Sequence, residues 1–277
     1  MSTRINVDKL QMDLHTKRFG RRIIFLREVG STIEVAKQLA DYGAEEGTVV
    51  IAEVQTAGRG RMGRRWISPE GGLYFSIILR PKISPKEAVR LVFLSGLAVA
   101  QVLRGVYSLK AEIKWPNDVL VNGQKVCGVL AEMNTTGEKV NYVIASIGLN
   151  ANFDVEKVFP EEFRKVATSL ENELGRKVEL EELFKVLLGK LESFYELFLK
   201  EGFDRILAEW KKYAGFLDCQ VELASGAEKW VGLASDVGND GALILRLEDG
   251  TVKRVFVAML LCGQDKWLFY FCLFPVM

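Results

Sequence analysis

Lys114-Trp115-Pro116-Asn117-Asp118-Val119-Leu120-Val121-Asn122-Gly123-Gln124-Lys125-Val126-Cys127-Gly128 holds two apolar runs separated by Asn122-Gly123. That dipeptide is the strongest short hairpin signal, because both residues accept the positive φ of a tight two-residue turn. Such a turn sets Leu120 opposite Lys125. Asp118, two residues back on the same face, is then a diagonal neighbour of Lys125 at about 7–8 Å. An acid and a base on one face of a hairpin can bracket a substrate. They can equally form an exposed cross-strand ion pair worth little.

Working outward, residues 23–26, 48–54, 73–79 and 140–147 are short apolar or β-branched runs that read as strands. Gly30-Ser31-Thr32 opens a helix with Val35, Ala36, Leu39 and Ala40 on one side, and Ser31 or Thr32 can cap it. The stretch 85–106 reads as one helix, apolar on most faces and so buried. Residues 180–199 and 203–213 are further helices. Beyond residue 215 the texture changes to short strands at 219–223, 229–233, 242–247 and 251–257, with turns at Ser225-Gly226 and Asp249-Gly250. Close-spaced short strands indicate a small β-barrel or sandwich. The expected division is an arm over 1–22, a main domain over 23–214, a small β-domain over 215–263 and an apolar tail over 264–277.

Residues 55–72 form a long glycine-rich loop, and long loops in compact domains are usually functional or disordered. Gln55-Thr56-Ala57-Gly58-Arg59-Gly60-Arg61-Met62-Gly63-Arg64-Arg65-Trp66 sets four arginines among glycines. Glycine lets backbone approach a ligand, and arginine forks grip carboxylates and phosphates in pairs. No Gly-Lys-Ser/Thr follows, so this is not a Walker loop. A solvated basic loop and non-specific nucleic-acid contact remain alternative readings. Gly148-Leu149-Asn150-Ala151-Asn152 ends a strand with alternating asparagines, which read a base edge or merely make the turn.

Composition narrows the chemistry. The 277 residues are 49% hydrophobic and 26% charged, with six prolines, which excludes a disordered or linker-dominated chain. Thirty-seven basic against thirty-six acidic residues leave a net charge of +1, so no global field drives the chain to DNA or membrane. No 18-residue apolar run and no signal-peptide pattern is seen, which makes the cytoplasm the default. The four cysteines form no CxxC pair and His15 is the only histidine, so a zinc site is not expected and the metal-ligand set is empty. His15 lies in a polar segment and reads as solvated. Lysine, arginine, aspartate, asparagine or a bound metal ion must run whatever reaction occurs.

Taken together, these blocks resemble the biotin–protein ligases of the biotin–[acetyl-CoA-carboxylase] ligase type. The resemblance rests on Gly30-Ser31-Thr32, Gln55 with Gly58-Arg59-Gly60-Arg61-x-Gly63-Arg64, Ser68-Pro69-x-Gly71-Gly72-Leu73-Tyr74, Lys114-Trp115-Pro116-Asn117-Asp118 with Lys125 and Gly128, Gly148-x-Asn150-x-Asn152, and Ala167-Thr168-Ser169-Leu170. It covers most of residues 23–170, in the family's order. It implies an α+β fold: a mixed sheet flanked by helices, as in class II tRNA synthetases, with a small C-terminal SH3-like β-barrel.

The implied activity is ATP- and Mg²⁺-dependent conversion of biotin to biotinyl-5′-AMP, then transfer to a lysine of a biotin carboxyl carrier protein. A lipoate or octanoate ligase or transferase of the same fold is the alternative; its usual loop differs and it lacks the Lys-Trp-Pro-Asn-Asp block. By the resemblance, Lys125, Arg61 and Asp118 are the catalytic residues. Ser31, Thr32, Gln55, Arg59, Gly60, Arg61 and Lys125 bind biotin. Arg61, Arg64, Trp66, Asn117, Asp118 and Asn150 bind the nucleotide. The chain departs from the family at Ile33, where asparagine is usual, and in its apolar end. Its first 20 residues resemble the linker that follows a winged helix in repressor-type members, but no winged helix precedes them. No specific DNA and no membrane partner is expected, while a homodimer stays open.

Overall fold

The computed structural model describes residues 5, 7–225 and 228–262. In chain order the elements are α1 (Val7–Met12), β1 (Ile23–Val29), α2 (Thr32–Asp41), β2 (Val49–Gln55), β3 (Leu73–Leu79), α3 (Pro85–Ala88), α4 (Leu91–Tyr107), β4 (Ala111–Lys114), β5 (Asp118–Val121), β6 (Gln124–Thr136) and β7 (Lys139–Leu149). They continue with α5 (Val155–Val158), α6 (Glu161–Arg164), α7 (Leu170–Leu174), α8 (Leu180–Glu201), α9 (Phe203–Lys211), β8 (Gln220–Ser225), β9 (Glu228–Val237), β10 (Leu243–Leu247), β11 (Val252–Val255) and β12 (Met259–Cys262). The apolar tail lies outside the described residues.

The main sheet has seven strands in the order β1-β2-β3-β7-β6-β5-β4. Only β1 and β2 are parallel, joined through α2; the remaining pairs are antiparallel. One face carries Phe75, Ile77, Val129, Ala145 and Ile147 and packs into the large core with α4, α8 and α9. Aromatic edges lock that layer, with Phe93 5.3 Å from Phe203 and 5.0 Å from Trp210 between centroids.

The opposite face is covered by α2 at one end only. Ile33, Ala36 and Ala40 of α2 pack on Val50, Ile78, Tyr142 and Ile144. Along β7 that face runs Tyr142, Ile144, Ser146, Gly148, so it turns small and polar where the helix ends.

The expected helix over 85–106 is instead two helices. Ser84 and Glu87 close a reciprocal capping box on α3, and the chain turns at Val89-Arg90 before α4 begins. The apolar pattern runs unbroken through that turn, so periodicity alone hides it. The stretch Pro85–Tyr107 is long and apolar enough to cross a membrane. Its apolar faces are instead covered by the sheet, α8 and α9.

The second sheet is antiparallel, in the order β11-β10-β9-β8-β12. Its edge strands β11 and β12 are joined by residues 256–258 alone. Four strand spacings on a flat sheet span about 19 Å, whereas four chain steps reach at most about 14 Å. The sheet therefore curls toward a barrel. Its core side joins that of the main sheet: Trp115 Nε1 donates to Gly241 O at 3.0 Å, and Leu223, Ala234 and Leu245 belong to the same apolar cluster as Phe93.

The N-terminal arm is fastened by one buried carboxylate. Glu192 of α8 accepts the backbone N–H groups of Lys17, Arg18 and Phe19 at 2.7, 2.7 and 2.8 Å. Glu192→Ala strands three donors and is expected to lower unfolding free energy by about 2–4 kcal/mol. Urea denaturation checks this; a loss below about 0.5 kcal/mol, the scale of a plain surface change, contradicts it. His15 in the same arm is exposed, as its polar surroundings predict.

Candidate active site

The uncovered end of the sheet forms a cleft of about 740 Å³, within the range of about 300–1,000 Å³ that small-molecule sites occupy. Its wall gathers Thr32 and Gln55, Arg59 to Met62, Arg64 to Trp66, Lys114 to Asp118, Lys125, Ser146 to Gly148, and Asn150. Thus Thr32, Gln55, Arg59, Gly60, Arg61, Arg64, Trp66, Asn117, Asp118, Lys125 and Asn150 all line one cavity. Ser31 stands just outside it. It is buried and caps α2, its hydroxyl accepting from Ile33 N at 3.3 Å. Ile33, the departure from the family pattern, supplies an apolar wall and is 3% exposed.

The hairpin turns at Asn122-Gly123, both with positive φ, and Leu120 pairs with Lys125 as read from the sequence. The ends of the acid and the base meet: Lys125 Nζ is 2.6 Å from Asp118 Oδ1. The register shifts between Val119 and Leu120, making Val126 the extra residue of a bulge. A regular ladder would set Asp118 opposite Cys127; the bulge sets it opposite Gly128. A Cβ at 128 would stand 3.3 Å from Lys125 Cε, so glycine leaves the lysine its course across the strand. The lysine backbone is held too. Lys125 N donates to Val166 O at 2.8 Å and Lys125 O accepts from Thr168 N at 2.9 Å. The Ala167-Thr168-Ser169-Leu170 block therefore serves as a clamp on Lys125.

The arginine loop is an irregular hairpin. Trp66 N donates to Gly58 O, Gly60 N donates to Arg64 O, and Arg59 lies opposite Arg65. Met62 and Gly63 at its tip have φ of 57° and 73°. Arg59 is exposed and ion-paired with Glu34 of α2. Arg61 reaches inward, and its Nη1 donates to Asn117 Oδ1 at 3.2 Å. Burial lowers the Arg61 pKa from its ordinary value; Asp118 opposes that shift and Arg64 adds to it.

Trp66 lies across the paired glycines Gly128 and Gly148, with Lys125 Nζ 5.2 Å from its ring centroid. A Cβ at 148 would come within 2.6 Å of Trp66 Cε2, so only glycine admits the indole there.

The two asparagines differ. Asn152 is structural, with Nδ2 and Oδ1 each bonded at 2.8 Å to the backbone of Val178. Asn150 gives Nδ2 to Thr168 O at 2.9 Å, while its buried Oδ1 has no partner. Among the described residues no group of three or more His, Cys, Asp or Glu gathers for a metal. Buried Cys127 behind Lys125 has its thiol pKa pushed well up by desolvation, which keeps it inert.

Two hydroxyls escaped the sequence reading. Thr32 Oγ1 lies 2.9 Å from Ser76 Oγ, and Ser76 Oγ lies 2.8 Å from Ser146 Oγ. Their signal was a serine inside each of two apolar runs, residues 73–79 and 143–149.

A mixed sheet with a small β-barrel beside it, and a cleft that brings arginine and lysine together under a glycine-rich loop, define a class of carboxylate-activating ligase. Residues 26–152 match the Biotin/lipoate A/B protein ligase family. The bifunctional ligase/repressor BirA of Bacillus spizizenii is 34% identical over 256 residues, spanning 92% of this chain and 78% of that protein. The biotin–[acetyl-CoA-carboxylase] ligase of Paracoccus denitrificans is 33% identical over 223 residues, spanning 80% of this chain and 92% of that protein. The biotin protein ligase of Aquifex aeolicus, solved in complex with biotin and ATP, superposes with a TM-score of 0.75 at 30% identity, covering 88% of this chain and 100% of that one. The chain belongs to the biotin–protein ligase family.

Proposed function

We propose that this cleft joins biotin to ATP and then hands the biotinyl group to a carrier protein. A biotin carboxylate oxygen attacks the α-phosphorus of MgATP, pyrophosphate leaves, and biotinyl-5′-AMP remains. The amine of a carrier lysine then attacks the acyl carbon and AMP leaves. The observation that carries this reading is the convergence of Lys125, Asp118 and Arg61 on one cavity. The relatives named as biotin ligases favour biotin over lipoate or octanoate.

The roles follow from charge. Attack on the α-phosphorus concentrates negative charge on its oxygens. Fixed cations in a site shielded from water stabilise that charge strongly. Lys125, aimed by Asp118 and clamped by residues 166–168, supplies one such cation at the biotin carbonyl and α-phosphate. Arg61 supplies another and grips the adenylate afterwards, while Arg59 and Gly60 border the biotin carboxylate. Asp118 then orients the incoming lysine. Thr32 and Gln55, with Ser31 behind them, face the biotin head. Trp66, Arg64, Asn117 and Asn150 border the nucleotide, with the unpaired Oδ1 of Asn150 ready to accept from adenine. Mg²⁺ of the MgATP substrate would be held by phosphate oxygens with one or two carboxylates, of which the cleft offers Asp118 and Glu162, and would neutralise phosphate charge.

The small β-sheet adds Ala258 to Leu260 to the cleft wall, and we assign it to a separate unit over 215–263, beside the 23–214 catalytic unit. The reaction belongs in the cytoplasm, where ATP is supplied. Sequence-specific DNA binding is no part of this reading, since a net charge of +1 gives no field toward phosphate.

Gly148→Ala pushes Trp66 off the sheet. Overpacking of this kind costs about 1–3 kcal/mol of stability, and ATP affinity is expected to fall as the indole leaves its place on the cleft wall. Calorimetry with ATP checks it, and equal affinity contradicts the placement of Trp66. The function itself is tested by incubating the protein with biotin, MgATP and a purified carrier domain. Mass spectrometry should find one biotinyl group on one lysine. An unmodified carrier in the presence of folded protein contradicts the proposal.

A further inference from the structure

The hydroxyl chain at the α2 end of the cleft has a direction that can be deduced. Thr32 N–H donates at 2.9 Å to the side-chain oxygen of Gln55. A backbone N–H requires an acceptor, so this contact fixes which end of the amide is oxygen. The amide nitrogen of Gln55 in turn donates to Ser68 Oγ at 2.9 Å. The Thr32 hydroxyl, 3.1 Å from the same Gln55 oxygen, commits its one hydrogen there. A hydroxyl has one hydrogen and two lone pairs. Thr32 Oγ1 therefore accepts from Ser76, and Ser76, its hydrogen spent, accepts from Ser146.

The order of donation is Ser146 to Ser76 to Thr32 to Gln55. Ser76 is fully buried behind the wall, whereas Ser146 lines the cleft. The only hydroxyl hydrogen of Ser146 points inward, and lone pairs alone remain for a ligand. Its backbone is fixed on both sides, opposite Ser76 on β3 and Leu130 on β6.

We propose that Ser146 Oγ is a specificity-determining contact that accepts an N–H from the ring head of the substrate. This rests on the reading that Thr32 and Gln55 face the biotin head. The cyclic urea of biotin offers two N–H donors. The dithiolane of lipoate and the alkyl end of octanoate offer none, so they leave the acceptor desolvated and unpaired. A site built to hydrogen-bond a substrate group rejects analogues that lack it.

The test compares the parent with Ser146→Ala and Ser76→Ala, after thermal melts show all three folded. Calorimetry is run with biotin and with its two mono-N-methylated ureido isomers. Ser146→Ala should weaken biotin about 10- to 100-fold, the range for a lost buried hydrogen bond. KM for biotin should rise with kcat at saturation held, the signature of lost uniform binding. One methylated isomer should bind the parent poorly and bind Ser146→Ala about as well as biotin does. Ser76→Ala frees the Ser146 hydrogen to turn into the cleft and should weaken biotin as well. Unchanged biotin affinity in Ser146→Ala, a fall in kcat without a rise in KM, or no coupling to either isomer overturns the assignment of Ser146 alone. No biotin binding by the folded parent overturns the biotin reading and this proposal with it.

Discussion

Lys125→Ala is expected to slow biotinyl-AMP formation by about 10²–10³-fold, the usual loss when one preorganised donor to developing charge is removed. Biotin affinity should change far less. The interaction is realised as charge builds on the α-phosphate, and a contact made mainly in the transition state lowers kcat rather than binding. The fold should survive. Lys125 and Asp118 are each about a quarter exposed and the contacting Asp118 Oδ1 is buried, so leaving that oxygen unpaired costs about 1–3 kcal/mol of stability, and a thermal melt run alongside shows the variant folded. Single-turnover measurement of adenylate formation, with calorimetry for biotin alongside, separates the two quantities. Adenylate formation at the parent rate would mean that Lys125 is only one half of a surface ion pair.

Arg61→Gly is expected to release the intermediate. In the resting structure Arg61 already bridges from the glycine loop to Asn117 beside Asp118, so it can close over an adenylate without refolding the loop. Losing a charge-assisted contact of about 2–4 kcal/mol speeds dissociation by tens to about a thousandfold. Free biotinyl-AMP is an acylating agent, and lysines of a bystander protein such as serum albumin should become labelled. Filter-retention of radiolabelled adenylate gives the off-rate directly. Retention equal to the parent would show that the loop does not hold the intermediate.

Much of this site could be read from letters because turn chemistry is local. Asn122-Gly123 imposed its own register, and Ser31 capped α2 as a serine before a helical run does. The pairing of Lys125 with Asp118 was legible as one of the two readings of the hairpin. The bulge at Val126 and the room that Gly128 leaves beside the lysine were not legible, because both act only once strands are paired. The break between α3 and α4 was hidden because apolar residues continue through the turn. Strand β4 was missed because Ala-Glu-Ile-Lys is too short and charged to announce itself; it exists because β5 and the backbone of Tyr213 supply its hydrogen bonds. The Ser76–Ser146 contact joins residues 70 positions apart. Nothing local marks it beyond two polar letters inside apolar strands.

Activation of biotin with ATP is the defining reaction of this cleft. The direct measurement is the exchange of labelled pyrophosphate into ATP by the purified protein, run in parallel with biotin, lipoate and octanoate. Exchange is expected to require biotin and to be lost with it. Exchange supported equally by lipoate or octanoate, or none with biotin in a folded preparation, would contradict it.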